Sequence, residues 1–300
     1  MERKSRRIYG CGQLGRVVVS VAVAALITFA SAQANAEAIV HFAFDETGGT
    51  TAADSAGNLI GDLVKKGHNA NPGDPVGAFP TFVPGRFGNA LFVDGVGGNN
   101  DTPGMNVRTG DFSGLDFGTT ANFSIAYWLK SDPAYAIISA DSIFSGLYGA
   151  NGTFSGSAFQ FSVARAGGFN GHYLRYGAPA SPDIQPAAGI DGPALVEDDE
   201  WHHHVFTVDR DGDSKIYVDG AEAGSATYNS TAIDYTGATG INLMGDQYGG
   251  SIDELWVFNS ALSAVGVDSL YRTNKVPEPA TVVLLTVGLA ALLGVRRRRR

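Results

Sequence analysis

The run WHHHVFTVDRDGDSKIYVDG, Trp201 to Gly220, limits the fold more than any other stretch of this 300-residue chain. Trp201, His203, Val205 and Thr207 share one face of an extended segment, and His202, His204, Phe206 and Val208 share the other. Apolar residues on both faces predict a central strand covered on both sides. Asp209 to Asp213 reads as a tight acidic turn, Lys215 to Val218 as the returning strand, and Asp219-Gly220 as a second, Asp-Gly turn. Consecutive strands joined by so short a turn, with no helix between them, must be antiparallel.

Alternation marks further strands at Ile39 to Phe44, Asn122 to Lys130, Gly240 to Met244 and Ser251 to Phe258. Three more are expected near Ile143 to Tyr148, Ala158 to Ala164 and His172 to Tyr176, with Gly-rich turns leaving their registers open. Lys65 to Pro80 and Ser181 to Glu200 read as loops. Ser263 is a candidate N-cap for a short helix carrying Val267, Leu270 and Tyr271, which Gly266 weakens.

Several of these stretches resemble the laminin-G-like, concanavalin A-like domains. The hairpin is similar to their Trp-His-His and Tyr-Val-Asp-Gly runs, with three histidines where two are usual. Phe44-Asp45-Glu46 leading to Asp54-Ser55-Ala56-Gly57-Asn58 resembles their opening, and Gly85-Arg86-Phe87-Gly88-Asn89-Ala90-Leu91 their second run. Ile252-Asp253-Glu254, followed by Asn259-Ser260-Ala261-Leu262-Ser263, resembles their close. The resemblance spans about Ile39 to Tyr271 and implies an all-β, antiparallel two-sheet jelly-roll sandwich, with Trp128 in its core.

The two ends read as addresses. Arg3, Lys4, Arg6, Arg7 and Arg16 precede an apolar run of 13 residues, Val17 to Phe29, and Ala34-Asn35-Ala36 supplies small residues for cleavage. Residues 1–36 are therefore expected to be a signal peptide, 37–272 the sandwich, 273–279 a linker and 280–300 an apolar helix with an arginine cluster. The linker's Pro277-Glu278-Pro279, the 15-residue run Thr281 to Val295 and Arg296 to Arg300 resemble the bacterial PEP-CTERM sorting signal. That resemblance implies an exosortase as partner, transient tethering in the inner membrane and delivery to the cell surface or an extracellular matrix. A plain tail anchor is the alternative.

Charge narrows the partners. Glu37 to Pro279 holds 11 basic and 29 acidic residues, a net charge of −18. Such a domain is a poor match for nucleic acid or anionic lipid, and suits calcium or a neutral or cationic ligand. The single cysteine, Cys11, lies in the expected signal peptide, so a mature chain has neither a disulfide nor a thiol nucleophile.

The site residues expected from the sequence follow from these readings. The family's calcium position implies Ca2+, as a structural ion, at Asp45, Asp54, Asn58 and Asp253, the alternative being that these carboxylates cap turns. Tyr148, Tyr173, Tyr176 and Tyr248, beside Gly-rich turns, are candidate sugar platforms, with packing as the alternative. Asp209, Asp211 and Asp213 imitate an EF-hand, but its sixth and twelfth positions hold Ser214 and Gly220. His202 and His204 have a zinc-compatible spacing without a third ligand. Asp253 and Glu254 are adjacent, unlike the alternating carboxylates of sandwich glycosidases, and the nucleophile-elbow, zincin and phosphate-loop motifs are absent. The expected function is thus a non-catalytic adhesion or carbohydrate-binding module associated with extracellular polysaccharide. A structural matrix or coat protein is the alternative, and a polysaccharide-acting enzyme the third reading.

Overall fold

A computed structural model describes residues 36–65, 77–95, 105–108, 115, 117–118, 120–132, 140–148, 159–164, 171–176, 198–227, 238–244 and 248–275. The chain divides into one compact unit of residues 36–277 and another formed by 1–35 with 278–300. The second lies outside the described residues, as do the expected signal peptide, the Pro277-Glu278-Pro279 motif and the apolar tail. Among the described residues, no helix is long and apolar enough to cross a membrane.

The larger unit is an antiparallel sandwich. Its first sheet has eight strands: β1 (Ala38–Phe42), β4 (Thr81–Pro84), β5 (Asn89–Val93), β7 (Phe123–Ser131), β11 (His202–Val208), β12 (Asp213–Val218), β13 (Ala221–Thr227) and β15 (Gly250–Phe258). They run in the order β13-β12-β11-β7-β15-β5-β4, with β1 also on β15. The second sheet runs β10-β9-β8-β14-β6-β3-β2. It comprises β2 (Thr51–Ala53), β3 (Ile60–Leu63), β6 (Met105–Arg108), β8 (Ala140–Tyr148), β9 (Phe159–Ala164), β10 (Gly171–Tyr176) and β14 (Ala238–Leu243).

The opening hairpin lies where the sequence places it. β11 pairs with β12 on one side (Phe206 opposite Ile216) and with β7 on the other (Phe206 opposite Ile125). Both faces of β7, β11 and β15 are buried, for two different reasons. Inward, Phe123, Ile125, Phe206, Val208, Ile252 and Val257 meet Leu63, Met105, Ile241 and Leu243 of the second sheet. Outward, Ala126, Val205, Tyr217 and Phe258 are roofed by Leu262, Val267 and Leu270.

The last two belong to α1 (Ala264–Thr273), a helix of 10 residues. The Ser263 hydroxyl accepts the Gly266 N–H at 3.2 Å, and Asn274 ends the helix in the left-handed region (φ 51°). Gly266 sits in this helix as a buried contact, because a Cβ there would press on the Leu262 side chain. Packing, rather than propensity, holds the helix.

Strands β2, β3, β4 and β6 are not among those the alternation marks. Each has three or four residues, too few for a period of two to stand out.

Candidate functional site

The loop carboxylates separate into two groups. Asp54 is buried and accepts four backbone N–H groups, from His41 (2.7 Å), Ala56 (2.9 Å), Gly57 (2.8 Å) and Leu59 (3.3 Å). Its lone pairs are spent on closing the turn before β3, and Asn58 adds the left-handed residue (φ 61°) that the turn needs. Asp54 and Asn58 frame a turn, the alternative to the ion site that the sequence offers for these residues.

Asp45 and Asp253 instead flank the turn between β4 and β5. Asp45 Oδ1 accepts the Asn89 N–H at 2.9 Å, and Asp253 Oδ2 accepts the Phe87 N–H at 2.9 Å. A Cβ on Gly85 would press on Asp253, and one on Gly88 (φ 67°) would overlap Asp45, so both glycines are fixed by close approach. Asp253 is fully buried, and its Oδ1 has no hydrogen-bond partner. Burial pushes its carboxyl up to about 7, against the N–H groups of Phe87, Arg86 and Glu254 that favour the anion. Among the described residues, no group of three or more His, Cys, Asp or Glu side chains converges as a metal set.

Glu254, the next residue, leaves in a different direction. It occupies the left-handed region (φ 50°) inside a register shift between Asp253 and Trp256. There the neighbour of β15 changes from β5 to β1. Glu254 Oε2 lies 2.6 Å from His41 Nε2, and His41 Nδ1 lies 2.7 Å from the Ser55 hydroxyl. The imidazole stacks on Trp256 with ring centres 3.4 Å apart, and Trp256 Nε1 donates to Asn274 at the end of α1. The arrangement fastens the first strand, the Asp54 turn, the bulge and the helix end together.

The three histidines have three environments. His202 Nδ1 lies 2.8 Å from Asp219 Oδ2, and its Nε2 lies 3.1 Å from Asp198 Oδ2. The hydrogen bond to Asp219 is the chief cause of a pKa raised to about 9; Asp198 adds to it and partial burial opposes it. Both ring nitrogens are engaged, which leaves none for zinc. His203 is buried beside Trp128, and burial pushes its pKa down to about 3, so it is neutral. His204, also buried, tilts against Tyr127 on the inner face. Trp128 is 2% exposed, between His203 and Tyr271 on the helix-covered side.

Of the candidate tyrosines, Tyr248 is the one whose side chain the structure describes. Tyr248 is fully buried in the main core, with its hydroxyl 3.1 Å from Ser131 Oγ, which corrects its expected exposure. Tyr173 and Tyr176 lie on β10, and Tyr148 ends β8. Tyr176 pairs with Phe159 and Tyr173 with Ser162 on β9, and Tyr148 pairs with Ala238 on β14.

Register across the second sheet exposes what single-strand reading misses. Thr51 pairs with Asp62, Asp62 with Asn106, Asn106 with Asn242, Asn242 with Ser145, Ser145 with Gln160, and Gln160 with Arg175. One unbroken cross-strand row of polar residues therefore traverses all seven strands. The row beside it, Leu63, Met105, Leu243, Phe144, Phe161 and Leu174, is wholly apolar. Leu63, Met105 and Leu243 of that row are buried, whereas Thr51 and Asp62 of the polar row are exposed. Thr51 and Asp62 therefore stand on the outer face of β2 and β3. No local signal marks Asn106 or Asn242; their alignment exists only after the strands pair.

Comparison with known proteins agrees with this architecture. The family model described as the concanavalin A-like lectin/glucanases superfamily matches residues 101–267, more than half of the chain, and the chain belongs to that family. Residues 275–300 match the PEP-CTERM protein-sorting motif.

Among solved structures, domain 4 of AbnA, a GH43 extracellular arabinanase from Geobacillus stearothermophilus in complex with arabinotriose, is 23% identical, with a TM-score of 0.53. The match covers 80% of this chain and all of that one. The binding domain of Paraclostridial Mosquitocidal Protein 1 is 16% identical (TM-score 0.54), covering 80% of this chain and 52% of the other. That of botulinum neurotoxin DC in complex with SialylT is 13% identical (TM-score 0.52), with the same coverage. The chain spans about half the length of these toxin domains, and at such identities the likeness is one of fold. Comparison with curated protein sequences finds no match.

Proposed function

We propose that the protein is an exported, surface-sorted, non-catalytic carbohydrate-binding module held in extracellular polysaccharide. The observation that carries this reading is the match of residues 101–267 to the concanavalin A-like lectin/glucanases superfamily. The PEP-CTERM motif supports the address: signal-peptide export, a tail held in the inner membrane, and release to the surface by an exosortase. Domain 4 of AbnA supports the ligand class, since its structure holds arabinotriose, and it is itself a part of an enzyme. The adjacent acids support a non-catalytic role: Asp253 is committed to the Phe87 turn and Glu254 to His41. A glycan array probed with the full chain in mild detergent tests the reading. Hits are expected, and a blank array leaves the structural matrix protein in its place.

Calcium belongs to the same proposal as a structural ion. The buried Oδ1 of Asp253, which has no hydrogen-bond partner, supports this part of the reading, and Asp45 flanks the same turn. The ion would be held by these two residues with backbone carbonyls, without Asp54 and Asn58. A rise in melting temperature on adding calcium, abolished by Asp253→Asn, is the expected result; an equal melt with and without calcium overturns it.

A further inference from the structure

We infer that the Ala36–Glu37 bond is open to a processing protease only before the sandwich folds, so that the chain crosses the membrane unfolded; this rests on the signal-peptide export proposed above. Asn259, just past the end of β15, holds Glu37 at three points. The Glu37 N–H donates to Asn259 Oδ1 at 3.1 Å, and Asn259 Nδ2 donates to Glu37 Oε2 at 3.1 Å. The Asn259 N–H donates to the Glu37 carbonyl, also at 3.1 Å. On either side of this clasp, Ala36 packs against the cluster of Phe258 and Leu262 that α1 roofs, and Ala38 pairs with Phe258.

A protease takes its substrate as an extended segment whose backbone N–H and C=O groups pair with the cleft. At Glu37 both groups are already engaged, and Ala36 is partly buried. Glu37 itself is exposed, so pairing rather than depth withholds the bond. The strand cannot lift far either, because Val40 and Phe42 further along β1 are fully buried in the core.

The clasp serves the cut chain as well as the uncut one. Hydrolysis gives the oxygen of one water to Ala36, which leaves as a carboxylate, and both its protons to the Glu37 nitrogen, which becomes an ammonium group. That group still has a donor for Asn259 Oδ1, and the three bonds of the clasp involve Glu37 and Asn259 alone. A chain that folded before export would reach the protease with this bond closed.

The test uses the full chain made in a membrane-free translation extract with mild detergent, purified uncut and given bacterial signal peptidase I. Val40→Asp/Phe42→Asp, which puts two carboxylates into the core, supplies the unfolded chain. Thermal melting checks which chains are folded, and intact mass locates the cut. The native chain is expected to be cut roughly 100-fold more slowly than the unfolded one, whose product starts at Glu37. Folded Asn259→Ala is expected to be cut roughly tenfold faster than the native chain, because two side-chain hydrogen bonds no longer hold the site shut.

Equal rates for folded and unfolded chains overturn this inference and leave the export reading standing, as does a cut at another bond. No cut in the unfolded chain overturns both. Native and Asn259→Ala chains cut at one rate overturn the clasp. In bacterial cells, removal of the twin-arginine route, which carries folded proteins, should leave processing unchanged; loss of processing there overturns the unfolded crossing.

Discussion

The eight-stranded sheet presents Ala126, Val205, Tyr217 and Phe258 on its outer face, under Leu262, Val267 and Leu270. The seven-stranded sheet exposes Thr51 and Asp62, which pair with each other on β2 and β3. One sandwich thus carries a sheet buried on both sides at β7, β11 and β15 and a sheet whose β2–β3 hairpin meets solvent on one side. The first face is closed by the chain's own C-terminal helix, and Thr51 and Asp62 keep their polar groups in water.

The contrast breaks most visibly at the helix. Val267 is fully buried and Val265, two residues earlier, is 70% exposed. Val267→Asp buries a carboxylate with no cation beside it, a cost of roughly 3–5 kcal/mol, and is expected to abolish the cooperative melt. Val265→Asp on the same helix should stay within about 0.5 kcal/mol of the native protein. Equal melts for the two would mean that α1 does not roof the sheet.

The Asp54 turn comes next. Asp54→Ala leaves four amide donors without their acceptor and should cost roughly 3 kcal/mol, read by chemical denaturation. If the proposed calcium site exists, its response should survive, because Asp54 closes a different turn from the one that Asp45 and Asp253 hold. A variant that loses the response would return Asp54 to the ion site.

These two predictions show where the sequence is transparent and where it is not. The roofed sheet was legible because burial on both faces leaves an unmistakable pattern in WHHHVFTV and NFSIAYWLK, and the spacing of Val267, Leu270 and Tyr271 marks the covering helix. The carboxylates were harder. Asp54 and Asp253 look alike in sequence, and only folding shows one saturated by amides and the other with a bare oxygen. Tyr248 beside Gly249-Gly250 reads as a loop aromatic. Its position is instead set by close backbone packing, since a Cβ on Gly250 would overlap the Lys130 carbonyl and crowd the Tyr248 hydroxyl. The bulge at Glu254 hides inside a run that looks like plain alternation. The polar row was not legible at all, because it is a property of registers between strands far apart in the chain.

A smaller effect separates the two sheets by pH. His202 clamps the Asp219-Gly220 turn and Asp198 onto β11, at one side of the roofed sheet. Its folded pKa of about 9 lies above the ordinary 6.5. The stabilisation is therefore complete below about 6.5 and is lost as pH rises through about 9. Asp219 behaves oppositely. Burial raises its pKa, but the hydrogen bonds from His202 and the His203 N–H outweigh this and hold it below 3.8. Its contribution is present above 3.8 and fades as pH falls. The clamp should be strongest between these limits, worth about 1–2 kcal/mol after allowing for its partial exposure. Melting of His202→Gln against the native protein should show that gap near pH 5 to 6 and none above pH 10. A gap independent of pH would mean that the ring contributes by packing alone.

The smallest stability effect is expected on the open sheet, and it decides what that face is for. Asp62 is exposed on β3, opposite Thr51 and Asn106. Asp62→Ala removes no buried group and should change stability by no more than about 0.5 kcal/mol in chemical denaturation. A much larger loss would make the row a structural ladder that fastens the strands, as the covered face of the other sheet is fastened by its helix. A near-silent result leaves the Asp62 carboxylate unspent by the fold, because a group already in water loses nothing when it is removed.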